Sequence, residues 1–247
     1  MIMELPVLIL LGVVVVLAAG FTQGLTSFGF ALIATPILGQ IIPLQQTVPI
    51  VVILSLCTNG IVFAGCYKHA DIRKIWLLIL SSLLAAPLGT YLLLFLSGDT
   101  LKLATGVLII IVATLQLAGK SFPVKRDKLA YLPVGALSGL LNGSISMSGP
   151  PVALFLSNQG VGKETFRANI SVYGIFLNIV TILTYLYGGL LTRETLHYTV
   201  WFAPSMLIGV FVGIRALKKL DEQRFKRIAL WLILASGLWT IIGVVTG

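Results

Sequence analysis

Charge-free runs divide the chain. No Asp, Glu, Lys or Arg occurs from Leu5 to Tyr67, Ile75 to Gly98, Leu129 to Gly162, Ala168 to Thr192, Thr195 to Ile214, or Ile228 to Gly247. About 20 apolar residues at about 1.5 Å rise per residue cross a hydrocarbon core of about 30 Å. Each run reaches that length, and Leu103–Gly119 lies within the lower spanning range. Backbone groups in hydrocarbon must be satisfied within their own segment, so such runs fold as helices. Only 10% of residues are charged and the mean hydropathy is +1.04, against about 25% charged in a soluble domain. The chain is therefore an all-α polytopic membrane protein.

The isoelectric point of about 9.8 would point to nucleic acid in a soluble protein. Here the basic residues sit in short segments beside apolar runs, where they set membrane orientation, and no nucleic-acid partner is expected. Glu4 without a basic neighbour is not the start of a cleavable signal peptide. Cys57 and Cys66 read as inert thiols within or near one span.

Two segments are too long for one plain helix. Leu5–Pro43 would extend about 58 Å and Leu129–Gln159 about 46 Å. Both carry Gly, Ser, Thr, Asn and Pro near the middle, where a helix breaks. Each reads as a two-armed hairpin. The segments also resemble each other: Gly20, Gly24, Leu25 and Pro36 fall on Gly135, Gly139, Leu140 and Pro151 at an offset of 115, and Asn59 pairs with Asn178 in the next span. The predicted organisation is a first repeat 1–119 (hairpin 5–43, spans 45–66, 75–97 and 101–119), a cytoplasmic linker 120–130, and a second repeat 131–247 (hairpin 131–159, spans 168–191, 195–214 and 226–246).

Charge parity tests the hairpins. If each opening segment crossed the membrane once, basic residues would divide almost evenly between the two sides. If each returns to its own side, the loops Lys68–Lys74, Lys120–Lys128, Lys163–Arg167 and Arg215–Arg227 share one side. Only Lys102 and Arg193 of the seventeen Lys and Arg then lie opposite. Positive residues favour the cytoplasm, so both termini are expected outside. Three net crossings per half invert the second half relative to the first, a recurring transporter design.

The hairpin tips are the candidate site. The first holds Thr22, Gln23, Thr26 and Ser27; the second holds Ser138, Asn142, Ser144, Ser146 and Ser148 before Pro150-Pro151. A broken helix leaves N–H and C=O groups without partners, to be met by protein, water or ligand. Second arms that start near the membrane centre turn their positive dipole ends inward, which suits an anion. The competing reading is that the small residues only permit close helix packing. Asn59 and Asn178 either bond between helices or line the site. Tyr173, Tyr185 and Tyr187 read as packing or interface residues, Pro49, Pro87 and Pro204 as kinks, and Arg167 as an orientation signal that could also attract an anion.

Catalysis finds no support. His69 and His197 sit at span ends assigned to opposite sides, no metal-ligand spacing occurs, and Ser144-Ile-Ser-Met-Ser148 has no base in its own or a neighbouring span. No Asp or Glu lies inside a span, which argues against a carboxylate proton relay. No cofactor and no metal are expected.

With Gly20-x-x-x-Gly24, Ser27-Phe-Gly29 and Pro36, and Gly135-x-x-x-Gly139 followed by the Ser/Gly stretch to Pro150-Pro151, the chain resembles the sulfite exporter TauE/SafE family. The likeness covers nearly its whole length and lies in the pattern of segments rather than in one motif. It implies a secondary transporter in the plasma membrane of a prokaryotic cell, carrying sulfite, an organosulfonate, sulfoacetate or a similar anion. An anion channel with a broken-helix pore is the alternative. The partners implied are the bilayer and a small anionic substrate, with H+ or Na+ as a coupling ion and a homo-oligomer both compatible with this class.

Overall fold

The computed structural model describes residues 5–117, 130–159 and 161–217, with Leu238, Ile241 and Ile242 beyond. Regular structure among them is helical throughout: α1 (Leu5–Thr26), α2 (Phe30–Ile41), α3 (Leu44–Cys66), a 3-10 turn (Tyr67–His69), α4 (Ile72–Phe95), α5 (Gly98–Leu117), α6 (Tyr131–Ile145), α7 (Gly149–Asn158), α8 (Lys163–Tyr187) and α9 (Arg193–Ala216). Of these, α1, α3, α4, α8 and α9 are long and apolar enough to cross a membrane. Their outward faces carry large apolar side chains such as Leu84, Val200 and Leu10, as lipid contact requires. The span predicted at 226–246 and the linker at 120–130 lie almost wholly outside the described residues.

Helix α8 starts earlier than the charge-free run predicts, because its first turn takes in Lys163 and Glu164. The polar end of a helix tolerates charge, and an acid there complements the positive end of the dipole. Pro49, Pro87 and Pro204 lie inside α3, α4 and α9.

Each opening segment is two helices. The first breaks at Ser27–Gly29 and the second at Ser146–Ser148. Helices α2, α6 and α7, of 12, 15 and 10 residues, span about 18, 22 and 15 Å, all short of the hydrocarbon core. Helix α1, with 22 residues, reaches about 33 Å, so it is not a half-helix.

The duplicated glycines are not at the breaks. Gly20 and Gly24 lie within α1, where an added Cβ would strike the Met206 and Val210 carbonyls of α9; Gly209 and Gly213 of α9 meet the Leu17 and Phe21 carbonyls in return. Gly135, Gly139 and Gly143 of α6 meet Leu78, Ser82 and Ala86 of α4 in the same way, and Gly89 of α4 meets Leu140. These are backbone-to-backbone approaches that only glycine allows. For these glycines the packing reading is the one observed.

The glycine contacts also give direction. Partners advance together along α1 and α9, and along α4 and α6, so each pair runs parallel. Between α3 and α8 the order reverses: Asn59 meets Gly174, and beyond α3 the backbone at Asp71 meets Asn169. The most extensive helix contacts are α4 with α6, α1 with α9 and α3 with α8. The breaks lie between these pairs.

Candidate functional site

Both breaks turn on a serine. Ser27 and Ser146 have φ of 66° and 61°, a left-handed conformation that costs an L-residue about 1–2 kcal/mol. Each closes its helix with the same bond, from Ser27 N to Gln23 O (2.7 Å) and from Ser146 N to Asn142 O (3.0 Å). Strain of this kind persists only where the surroundings enforce it.

Here the surroundings are two buried amides. Gln23 Nε2 donates to Asn59 Oδ1 (2.9 Å) and to Ser27 O (3.2 Å), while its Oε1 accepts from Phe30 N at the start of α2 (3.2 Å). Gln23 thus ties both arms of the first break to α3. Asn142 Nδ2 donates to Asn178 Oδ1 (3.1 Å) and to Thr181 Oγ1 (2.9 Å), tying the second break to α8. The arrangement repeats at an offset of 119, from Gln23 to Asn142, Ser27 to Ser146 and Asn59 to Asn178. That is one helical turn away from the register suggested by the glycine matches, and it pairs Gly20 and Gly24 with Gly139 and Gly143.

Between the breaks lies a cavity of about 40 Å³, room for about three or four waters at about 10–15 Å³ each. Its polar walls come in pairs at the same offset: Gln23 with Asn142, Ser27 with Ser146, Gly29 with Ser148, Ser55 with Gly174, and Asn59 with Asn178. Four candidates do not line it. Thr22 and Ser144 bond back to the Ala18 and Leu140 carbonyls of their own helices. Thr26 bonds to Thr22 O and closes the turn onto Phe28 O. Ser138 accepts from Tyr173 OH (2.7 Å) and donates to Ser148 O (2.7 Å), steadying the second tip from behind. Tyr173 itself lines the cavity. Ser55, Gly174 and Tyr173 escape a search for matched polar motifs, although the offset carried by Asn59 and Asn178 points to the first two.

The cavity is rich in donors. Asn59 and Asn178 have their Oδ1 atoms engaged by Gln23 and Asn142, which leaves their NH₂ groups as the unspent function. Ser27 Oγ is 1% exposed as a residue and has no hydrogen-bond partner among the described residues. Ser146 Oγ is committed to Thr35 Oγ1 (2.6 Å) and Ile145 O (2.6 Å). The N-termini of α2 and α7 open here at Phe30 and Gly149, although Pro150 and Pro151 remove two of the N–H groups α7 would otherwise present. Among the described residues, no Asp, Glu, Lys or Arg lines the cavity.

Where α1 and α6 end at the breaks, carbonyls are also met. Tyr185 OH donates to Gly143 O (2.8 Å) and Asn142 O (3.2 Å) at the end of α6. Arg167 Nη1 donates to Leu25 O (3.3 Å) at the end of α1. Tyr187, by contrast, is exposed. His197 lies on the surface, accepting from Trp201 Nε1. Among the described residues no group of His, Cys, Asp and Glu is arranged to hold a metal ion.

Two comparisons with known proteins match most of the chain. The family model described as "Sulfite exporter TauE/SafE" matches residues 12–240. A protein of Cupriavidus necator named "Probable sulfite/organosulfonate exporter TauE" is 22% identical over 238 residues, 92% of each chain. No solved structure matches.

Proposed function

The chain belongs to the sulfite exporter TauE/SafE family of membrane transporters, and on that premise we propose that it carries small sulfur-containing anions through the cavity between its two helix breaks. The observation carrying this reading is the buried, donor-rich cavity formed at matched positions of both halves. An anion that must leave again needs modest affinity. Neutral hydrogen bonds contribute about 0.5–1.5 kcal/mol each and a helix end about 0.3–1. Several together support micromolar-to-millimolar dissociation constants. The volume of about 40 Å³ favours sulfite or a comparably small anion. An arenesulfonate needs the tips to part.

The mechanism proposed is secondary transport by two inverted repeats, 1–119 and 131–247, rocking about the cavity. The parallel pairs α1–α9 and α4–α6 with antiparallel α3–α8 support the inversion. Polar contacts at helix starts support the sidedness. Gln46 Nε2 to Glu194 Oε2 (2.9 Å) joins the starts of α3 and α9, and Asp71 N to Asn169 Oδ1 (2.8 Å) joins those of α4 and α8. With the basic segments at Lys68–Lys74 and at the start of α8 on the cytoplasmic side, both termini lie outside and the membrane is the plasma membrane. The name of the Cupriavidus necator relative supports outward transport.

Sulfite flux in proteoliposomes tests the reading. The expected result is saturable flux accelerated by sulfite on the far side, as counterflow requires. Unsaturable, voltage-driven current with no counterflow would replace the carrier with a channel.

A further inference from the structure

The donor-rich cavity has a charged neighbour. Arg167 lies on the face of α8 that continues through Ile170 and Gly174 to Asn178, all of which line the cavity. It is 7% exposed. Its one hydrogen bond among the described residues goes to Leu25 O, two residues before Ser27. The adjacent Phe166 ring packs edge-on against Phe28, itself a wall of the cavity. A guanidinium has five N–H donors, and no carboxylate pairs with this one among the described residues. Burying a cation without a counter-charge is expensive, and a neutral carbonyl compensates little of that cost.

The internal repeat gives the contrast. The offset that matches the amides carries Arg167 back to Val48, a fully buried apolar residue. At the end of α6 the corresponding capping work is done by the neutral Tyr185. The scaffold is therefore paired in its neutral donors and unpaired in its buried cation. Ser27, two residues beyond the Leu25 carbonyl, lines the cavity, and its buried Oγ has no hydrogen-bond partner among the described residues.

We propose that Arg167 is a specificity-determining residue of the anion site, supplying the charge that draws a small oxyanion from the basic-loop side toward Ser27. This rests on the reading of the cavity as the anion site. Because the cation stands on one side only, the two access states differ in attraction: the anion is gathered from the face bearing Lys163 and released past neutral groups. In the empty protein the guanidinium rests on Leu25 O. When an anion enters, a charge-assisted bond replaces that neutral one.

The test compares sulfite flux and ionic-strength dependence for Arg167→Gln, Arg167→Lys and Asn142→Ala in proteoliposomes, with thermal stability of each purified variant. The account expects Arg167→Gln to raise KM about ten-fold or more and flatten the salt dependence, with maximal rate little changed. Arg167→Lys should restore most of both. If Arg167→Gln and Arg167→Lys lose stability and maximal rate alike with KM unchanged, Arg167 only caps α1 and the proposal fails. If Arg167→Gln matches the parent while Asn142→Ala raises KM, the proposal also fails but the cavity stands. If neither Arg167→Gln nor Asn142→Ala alters KM, the cavity reading falls with it.

Discussion

The two breaks share a plan and differ in what they leave unspent. At the first, Gln23 uses its amide on Asn59, Ser27 and Phe30, and the Ser27 hydroxyl has no partner among the described residues. At the second, Asn142 reaches Asn178 and Thr181, and the Ser146 hydroxyl is bound to Thr35 and Ile145. On the reading of the cavity as the anion site, the first tip keeps a hydroxyl for a ligand and the second spends its own on holding shape. Glycine at 29 opens the first break, with φ of 117°, whereas Pro150-Pro151 stiffens the second. Related halves can thus divide the labour of binding and bracing without departing from a common fold.

Substitutions sharpen that contrast. The largest effect is expected at Asn142→Ala, which frees Thr181 and releases the orienting bond to Asn178. Leaving buried polar groups unpaired costs about 1–3 kcal/mol, so sulfite affinity should fall by about ten- to one-hundred-fold in a binding titration. Ser27→Ala should follow, with about ten-fold weaker sulfite binding at nearly unchanged melting temperature, because its hydroxyl spends nothing on the fold. Ser146→Ala should show the opposite balance: about 1 kcal/mol of stability lost and sulfite affinity within about three-fold. Equal affinity losses at the two serines would remove the distinction between binding and bracing.

Gly24→Ala and Gly139→Ala probe what the halves share. Each places a methyl against a carbonyl of the packed helix, and overpacking costs about 1–3 kcal/mol, so both should lower the melting temperature to a similar extent. The smallest effects belong to Thr22→Val and Ser144→Ala. Their hydroxyls only fold back on their own helices, and changes within about 0.5 kcal/mol are expected, with flux unaltered.

Much of this was legible from patterning. Charge-free runs place α3, α4, α8 and α9 to within a few residues, because lipid imposes length and apolarity on any span. Helix-breaking composition shows that each opening segment is interrupted near its middle, without giving the exact break, and intramembrane amides name Gln23, Asn59, Asn142 and Asn178 as candidates. The division of the hydroxyls was not legible. Thr22, Ser138 and Ser144 look like Ser27 in sequence, and only the direction of each side chain separates back-bonding from exposure to the cavity. The glycine matches drew the eye to a register one turn away, since close packing tolerates a Gly at either of two successive turns while an amide pair fixes one. Arg167 read first as an orientation signal, with attraction of an anion as the alternative, because burial is a property of the folded chain.

The central claim is that the cavity between the breaks binds an anion on its amide and hydroxyl donors, with Arg167 beside them, and Asn178→Asp tests it most directly. The substitution keeps the volume and the Oδ1 that accepts from Asn142, but replaces an NH₂ donor with a carboxylate oxygen. In a sulfite titration of the purified protein at pH 8, the account predicts loss of measurable binding with the fold retained by thermal melting. Sulfite binding at parental affinity in a folded Asn178→Asp protein would place the anion elsewhere and contradict the account.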